Sequence, residues 1–466
     1  MGMADWAVPP VIVAAYEGRS LAVLNQILAG RSSAHPVTHY LSLWHAFAVA
    51  TLVAGGLHFA LMVQIAMLEE KSRRRDRMLM AFSASFLAFA TLTGPRQDYV
   101  AYVEVWNAIL QGQDPWWVHP VWGYPLNAYG PLFNPIAIFV GWNVLIPKLL
   151  VTYAYLAFVV WIVNLWANRP RSATISRVGL IALVANPYAW VEVAYFGHLD
   201  VVIAITCVGA LHARRLGKDT LAGVSLALGI LLKYLPVVLL PFLVVDARRI
   251  RLRTALATVL TFAVGMGLSY LAWGPSMFRP LRFAMTRGSS LLSIFRFLRG
   301  TASPLRWITE NPNVDYLALP CLALTGLGIF AWCVRNRVSP AIGMILGTLT
   351  TLLFYRVGFP QYPMTLFLLV LYALVEGELR VEGDRFLRVV LIGYFGALGL
   401  FDMMYALIDG VIHPGDPHDW LDEVVGLPAF VLGGLLFWAL ISSINRKSDS
   451  PPDKIDRLSE RQSSSG

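Results

Sequence analysis

The sequence predicts an all-α polytopic membrane protein, and three observations support this fold class. Of the 466 residues, 57% are hydrophobic and only 14% are charged, whereas soluble domains carry about 25% charged residues. The mean hydropathy is +0.60. Several stretches without a charge are long enough for a helix to cross the hydrocarbon core, which takes about 20 residues.

Basic residues between the apolar stretches set the predicted orientation. The net charge is +9, but most Lys and Arg residues lie between predicted spans, where they mark cytoplasmic loops. The strongest of these loops is KSRRRDR, residues 71–77. We therefore expect membrane lipids, and no nucleic acid, as partners of these charges.

Eleven apolar runs and one hairpin follow from this pattern. Residues 220–245 have basic flanks at both ends, so this run must enter and return, breaking at KYLP, residues 233–236. Such a break is allowed only where the backbone faces protein or a polar cavity. The predicted spans are 40–67, 78–93, 148–167, 176–196 (kinked at Asn186-Pro187), 199–211, 254–273, 316–334, 340–355, 363–375, 387–407 and 424–444.

The spans divide the chain into five segments. We expect helices in the extracytoplasmic loops and disorder in the polar tail. The segments are an external or interfacial segment (1–39), an extra span with a basic cytoplasmic loop (40–77), a central transmembrane module with external loops 94–147 and 274–315 (78–300), C-terminal spans (301–445) and a cytoplasmic tail (446–466).

A carboxylate at a membrane exit marks the candidate site. Arg96, Gln97 and Asp98 leave the membrane together, and an aromatic loop follows up to residue 135. This arrangement indicates a site at the bilayer surface with Asp98 as a general base. The alternative is an interfacial helix-end carboxylate that pairs with Arg96. The tryptophans and tyrosines of the loop are typical of an interfacial belt.

Six arginines lie in the predicted external loop 275–313, on the side that is normally poor in them. Guanidinium groups grip phosphate in a bidentate manner, so we interpret the loop as an anion site, with Arg282 and Arg287 as first choices. Two alternatives stay open. The arginines anchor external helices to lipid headgroups, or the topology is inverted here.

Four further residues are candidates for the site or its support. His198 and Asp200, in the outer turn GHLD, are predicted to bind a ligand, with an N-terminal helix aspartate beside a solvated histidine as the alternative. Gln361 flanks another outer turn and is predicted to line the cavity. Lys233 lies in the apolar hairpin, where we expect a carbonyl or carboxylate partner, or snorkelling, and a structural role.

The order of three motifs resembles a known superfamily. Asp98 in D-Y-x-x-Y is followed by QGQDP and YGPL, then by Asn186-Pro187 with GHLD, then by a small-residue run leading into KYLP. This order resembles the GT-C superfamily of integral-membrane glycosyltransferases. The likeness is strongest to the polyprenol-phosphate-mannose-dependent mannosyltransferases, both the bacterial type and the catalytic subunit of the first mannosyl step of GPI-anchor synthesis. It covers about residues 78–300.

The resemblance implies a GT-C-like bundle that transfers a hexose, preferably mannose, from a polyprenyl-phosphate sugar donor to a glycan or glycolipid acceptor, with inversion. Asp98 takes the place of the family's catalytic acidic residue. Many relatives carry two adjacent acidic residues there, whereas Gln97 stands beside Asp98, so we expect no metal and no cofactor. We assign substrate contacts to Arg96, Gln97, Tyr99, His198, Asp200, Arg282, Arg287 and Gln361.

The resemblance also implies a location and partners. We expect a bacterial plasma membrane, with the site on the extracytoplasmic face, and some relatives need an accessory membrane subunit. The competing hypothesis is a multi-span transporter or flippase of lipid-linked saccharides, and a polymerase or ligase of lipid-linked glycans is a third. Transporters typically show internal repeats and midplane charges, whereas here the acidic and aromatic features cluster at one face.

Overall fold

A computed structural model describes residues 73–93, 98–118, 125, 127–168, 179, 183–184, 186–246, 249–286, 290–299, 317–381, 383–407 and 422–448. The predicted segment 1–39 and the first predicted span, 40–67, lie outside these residues, and so does the tail from residue 449 onward. The described part is dominated by helices, which agrees with the predicted all-α class.

The helices are numbered in chain order within this part. The first group is α1 (Arg73–Thr93), α2 (Asp98–Leu110), α3 (Ala137–Val140), α4 (Ile146–Ala167), α5 (Pro187–Trp190), α6 (Asp200–Arg215), α7 (Asp219–Leu232) and α8 (Leu240–Val244). The second group is α9 (Leu252–Trp273), α10 (Arg279–Thr286), α11 (Ile294–Arg299), α12 (Ala318–Arg335), α13 (Pro340–Phe354), α14 (Pro363–Val375), α15 (Arg385–Leu407) and α16 (Leu427–Ser448).

Short irregular helices and strands connect these elements. Tight 3₁₀ turns cover Pro131–Ile136, Leu235–Leu239 and Gly274–Phe278, and π-helical turns cover Val191–Tyr195 and Asp422–Gly426. Strands β1 (Val245–Asp246) and β2 (Arg249–Ile250) pair in an antiparallel manner, with Val245 opposite Ile250. Strands β3 (Ser290–Leu291) and β4 (Val357–Gly358) pair in parallel, with Ser290 opposite Val357.

Five helices of the described part are long and apolar enough to cross a membrane, judged by length and composition. The helix pair Pro187–Tyr195 and Asp200–Arg215, bent by 118°, adds a sixth if it counts as one span. The protein is therefore a multi-pass membrane protein. The other apolar helices in this part have 10–17 residues, so the predicted count of eleven spans stays a prediction.

Helix α14 forms the centre of the bundle. Every residue from Leu366 to Val375 is buried, because α4, α6 and α13 pack around this helix. A helix that is apolar on all sides is stable only when it is surrounded in this way. Helices α9 and α12 are also apolar, but only 11% of their most apolar stretch is buried, so most of their side chains face outward, as expected for helices in contact with lipid.

Both predicted chain breaks are confirmed. The side chain of Asn186 accepts a hydrogen bond from Tyr188 N at 2.9 Å and so caps α5, while its amide donates to Phe395 O of α15, also at 2.9 Å. At the second break, Lys233 ends α7 in an extended conformation and the 3₁₀ turn follows. The sequence placed these breaks correctly because proline cannot continue a helix.

Replacement of Asn186 by alanine should destabilise the bundle. The N186A variant loses the cap of α5 and the side-chain hydrogen bond to the Phe395 carbonyl, which costs about 1–3 kcal/mol in total. Thermal unfolding in detergent measures this. The matched control is N143A, because exposed Asn143 makes only a local turn to Leu145 N and its loss costs about 1 kcal/mol or less. Equal unfolding midpoints for the two variants would contradict the role of Asn186.

Candidate active site

Three helices begin at one polar cluster. Asp98 is the first residue of α2, Asp200 is the first residue of α6, and Gln361 lies just before α14. At the opposite ends of α6 and α14, Arg215 forms an ion pair with Glu376. The two helices are therefore parallel, and their N-terminal ends direct positive partial charge toward the cluster.

Asp98 is the accessible member of this cluster. Its carboxylate oxygen Oδ2 accepts a hydrogen bond from Gln361 Nε2 at 3.2 Å and lies 3.4 Å from His198 Nε2. The contact with His198 is an ion-pair distance and not a well-aligned hydrogen bond. The side chain of Asp98 is 50% exposed, whereas that of His198 is 5% exposed. Asp98 is thus contacted by Gln361 and His198 and remains half exposed.

His198 is held from behind by Glu192. The two side chains meet at 2.6 Å between Nδ1 and Oε2, and Phe196 stacks on the imidazole ring. Burial by itself lowers the pKa of His198, but the neighbouring carboxylates of Glu192 and Asp98 outweigh it and raise the pKa to about 10. The ring, in the turn between α5 and α6, is therefore an imidazolium at neutral pH.

Gly197 and Lys148 set the position of this turn. Gly197 has φ +72°, and a side chain there would meet Lys148 Cγ at 2.9 Å, so only glycine fits. Lys148 is fully buried, and its ammonium group donates to Thr93 Oγ1 and to Tyr195 O, both at 2.8 Å. These bonds join α1, α4 and the π-helical turn directly beneath His198.

An ion pair closes the other side of the cluster. Lys233 Nζ lies 2.6 Å from Asp200 Oδ1, with both side chains buried. The ammonium group sits between the rings of Tyr129 and Tyr362, at 4.9 and 4.2 Å from their centroids. From the sequence, we expected Lys233 to have a carbonyl or carboxylate partner or to snorkel to the membrane surface. The structure shows that its partner is the Asp200 carboxylate. The pair joins α6 to the broken end of α7.

Tyr129 connects this ion pair to α2. Its hydroxyl donates to Asp200 Oδ2 at 3.1 Å and shares a hydrogen bond with the Tyr102 hydroxyl at 2.6 Å. Burial and the nearby Asp200 carboxylate raise the pKa of Tyr129 well above its usual range, so the phenol stays neutral and remains a donor. Asp200 is thus linked through two tyrosines to α2, the helix that begins with Asp98.

Three aromatic residues of the predicted loop belong to the core and not to an interfacial belt, whereas Trp122 and Tyr124 lie outside the described residues. Trp106, Trp116 and Tyr129 are buried. The indole of Trp106 donates to Phe133 O at 3.0 Å, and that of Trp116 donates to Tyr129 O at 3.1 Å. Because each ring also packs on protein, the loop is a rigid wall behind Tyr129.

Tyr99 also differs from its predicted role. It has no exposed surface, and its hydroxyl donates to Val144 O at 2.6 Å while accepting from Lys148 N at 3.0 Å. Tyr99 therefore fixes α2 against the start of α4 and offers no atom for substrate contact. In the motif D-Y-x-x-Y, the first tyrosine, Tyr99, is therefore a packing residue. The second, Tyr102, forms a hydrogen bond with Tyr129.

A partly open cleft lies beside the ion pair. Its polar end is formed by Asp200, Lys233 and Tyr362, and two threonines of α13 contribute hydroxyl groups. Apart from Thr365 of α14, the rest of its wall is apolar and comes from α6, the 3₁₀ turn after Lys233 and α13; the apolar residues are Ile203, Leu235, Pro236, Val238, Leu239 and Leu352. The cleft is therefore polar at one end and apolar along most of its wall.

The arginine-rich loop docks onto the turn that carries Gln361. Strand β3 pairs with β4, Leu292 N donates to Gly358 O at 3.0 Å, and Ser293 Oγ donates to Tyr355 O at 3.1 Å. Arg282 is exposed on α10. Arg96, Gln97 and Arg287 lie outside the described residues.

Sequence reasoning missed Lys148, Glu192 and Tyr129 as parts of the site. The signal for the first two was present, because an ionisable residue within an apolar run needs a partner or a function. No set of three His, Cys, Asp or Glu side chains within the described ranges could hold a metal ion.

The fold and the cluster define a class: a multi-pass membrane protein with a carboxylate-centred site at one end of its helices. The sequence model of glycosyltransferase family 87 matches residues 122–356, half of the chain. The chain belongs to this family, and the protein is a membrane glycosyltransferase. The match includes His198, Asp200 and Lys233, while Asp98 and Gln361 lie just outside it. The comparison with curated proteins finds no match.

Loss of Lys233 should destabilise the protein strongly. In K233M the Asp200 carboxylate stays buried without its cation, which costs about 3–5 kcal/mol. The double variant K233M/D200N should recover part of this loss, because no charge is then left unpaired. The control K218M removes an exposed lysine and should change the unfolding midpoint little. A double variant less stable than K233M would contradict the ion pair's role.

Proposed function

We propose that the protein transfers a hexose, preferably mannose, from a polyprenyl-phosphate sugar to a glycan or glycolipid acceptor, with inversion, at the extracytoplasmic face of a bacterial plasma membrane. The observation that carries this proposal is the half-exposed Asp98, held by Gln361 and His198 at the edge of an otherwise buried cluster. Asp98 is the general base, and the neighbouring site residues bind the substrates.

The chemistry needs one base and a good leaving group. Asp98 takes the proton from the acceptor hydroxyl while the hydroxyl oxygen attacks the anomeric carbon from the face opposite the phosphate. The bond between the anomeric carbon and the phosphate oxygen breaks, and polyprenyl phosphate leaves with the electron pair. The phosphate needs no proton to depart, so a single carboxylate is enough when cations stabilise the charge.

The cleft supports a lipid-linked donor. Its apolar walls suit an isoprenoid chain, and Lys233 at its polar end provides a cation near the departing phosphate. The loop that carries Arg282 and Arg287 is connected to the Gln361 turn through β3 and β4, which supports a role for these arginines in binding the phosphate. Three helix N-termini add positive potential at the same place.

Arg96, Gln97, His198 and Asp200 are proposed to contact the sugar or the acceptor beside Asp98. The preference for mannose, the polyprenyl carrier and an accessory membrane subunit rest on the resemblance to the mannosyltransferases. A transporter or flippase of lipid-linked saccharides is the alternative, because the same cleft could pass a lipid-linked head group. A transporter would need no general base at Asp98, so the effect of replacing Asp98 distinguishes the two proposals.

Sugar transfer in proteoliposomes tests the base. With radiolabelled polyprenyl-phosphate mannose and an acceptor glycolipid, D98N should lose about 100-fold or more of the transfer rate, while donor binding survives. The loss is expected because asparagine keeps the shape and the contact with Gln361 but takes no proton. Polyprenyl-phosphate glucose as donor tests the preference for mannose.

The control D114N makes the same change in an aspartate of the external loop. Asp114 pairs with Arg279 at 2.8 Å in a partly exposed position, so D114N should keep its transfer rate. Equal rates for D98N and wild type would remove Asp98 from the chemistry. Flipping of the labelled lipid without transfer by either protein would favour the transporter.

A further inference from the structure

A second pair of carboxyl groups lies behind His198. Glu192, in the π-helical turn after α5, is 1% exposed, and Asp402, on α15, has no exposed surface. Glu192 uses Oε2 for His198, whereas Oε1 of Glu192 and both oxygens of Asp402 receive no hydrogen bond from another donor in the described part. Helix α15 packs against the π-helical turn that carries Glu192, and the Asp402 carboxyl lies within hydrogen-bonding reach of Glu192. The two carboxyl groups are therefore each other's partners.

Two buried carboxyl groups in contact cannot both be ionised. Their mutual repulsion and the loss of hydration favour one shared proton, which then makes a hydrogen bond between them. The positive imidazolium of His198 faces Glu192 directly at 2.6 Å. The negative charge is thus favoured on Glu192, and the proton on Asp402.

We propose that Glu192 and Asp402 are positioning residues for the transfer reaction: neutral Asp402 donates a hydrogen bond to Glu192, and ionised Glu192 holds His198 as an imidazolium directed at Asp98. This inference rests on the proposed function. The fixed positive charge lies 3.4 Å from Asp98 Oδ2 and so orients this carboxylate for the acceptor hydroxyl. Neither Glu192 nor Asp402 touches substrate, and no proton leaves the pair during the reaction.

The π-helical turn explains how Glu192 reaches this position. Backbone N–H groups of Phe196 and His198 bond to Val191 O and Glu192 O, at 2.9 and 3.0 Å, so the chain is wound wider than an α-helix and then turns sharply. Single π turns of this kind are frequent at functional sites. Here the widened turn directs the Glu192 side chain back toward His198, six residues later in the chain.

Other ionisable groups, from several helices, lie around the series formed by Asp98, His198, Glu192 and Asp402. They bear on any pH dependence, because each one changes the potential at His198. They are Tyr102 on α2, Lys148 on α4, Tyr188 on α5, Asp200 on α6 and Lys233 after α7.

Two spectroscopic measurements test the pair without any substrate. The full-length protein is placed in nanodiscs of phosphatidylethanolamine and phosphatidylglycerol. NMR with labelled histidine, in which the His198 signal is identified by its loss in H198Q, follows the titration of that ring. Infrared spectra detect the C=O stretching band of a protonated carboxyl group.

Each variant has a separate expected result. E192Q should lower the midpoint of the His198 titration by about 1–3 pH units, because the closest negative charge is gone. D402N should remove the infrared band of the protonated carboxyl but keep the His198 midpoint, since the asparagine amide still donates to Glu192. D384N, an Asp-to-Asn change just before the same helix, is the control and should change neither signal.

The pH profile of mannose transfer then tests the link to the reaction. Wild type should keep its rate as the pH rises through 7 and 8, whereas E192Q should lose transfer over the lowered titration range of His198. A merely structural defect would lower the rate at every pH and leave the shape of the profile unchanged.

Either of two results would overturn the proposal: an unchanged His198 midpoint in E192Q, or an unchanged infrared band in D402N. A wild-type protein that transfers no sugar would instead defeat the proposed function. The two spectroscopic results would still decide whether the carboxyl pair shares a proton, so the two failures are distinguishable.

Discussion

The buried ion pair between Asp200 and Lys233 is the interaction on which the site depends. A lysine at the end of an apolar helix is stable only if its charge is matched, and Asp200 at the start of α6 supplies the match. The pair fixes where α7 ends, and the 3₁₀ turn after it forms the wall of the cleft. The same requirement for partners governs the other charges of the cluster.

The cluster is divided into a buried part and an accessible part. His198, Glu192 and Asp200 are nearly inaccessible, whereas half of the Asp98 side chain is exposed. Charges in the interior are fixed by hydrogen bonds and packing, so they need little reorganisation when charge develops during a reaction. The accessible carboxylate is then the group that can meet a hydroxyl from outside.

Rigid aromatic packing gives the site its precision. Trp106 and Tyr129 stack on opposite sides of Phe133, with ring centroids 4.8 and 4.7 Å apart from it. This stack holds the loop that carries Tyr129 against α2, and hence against Asp98. Helix α9 is mostly exposed, yet its last residue also packs on this loop: Trp273 meets Trp116 edge-on, with the ring centroids 5.8 Å apart.

The sequence by itself determined the membrane class, the breaks at Asn186-Pro187 and Lys233, and the choice of Asp98, His198, Asp200 and Gln361 as candidates. These follow from hydropathy, from proline geometry and from polar residues at the ends of apolar runs, all of which are local properties. Only the tertiary structure decided that Gln361 meets Asp98, that Asp402 meets Glu192, and that Tyr99 and Trp116 are buried. Those contacts join residues far apart in the chain, and the packing of whole helices determines them.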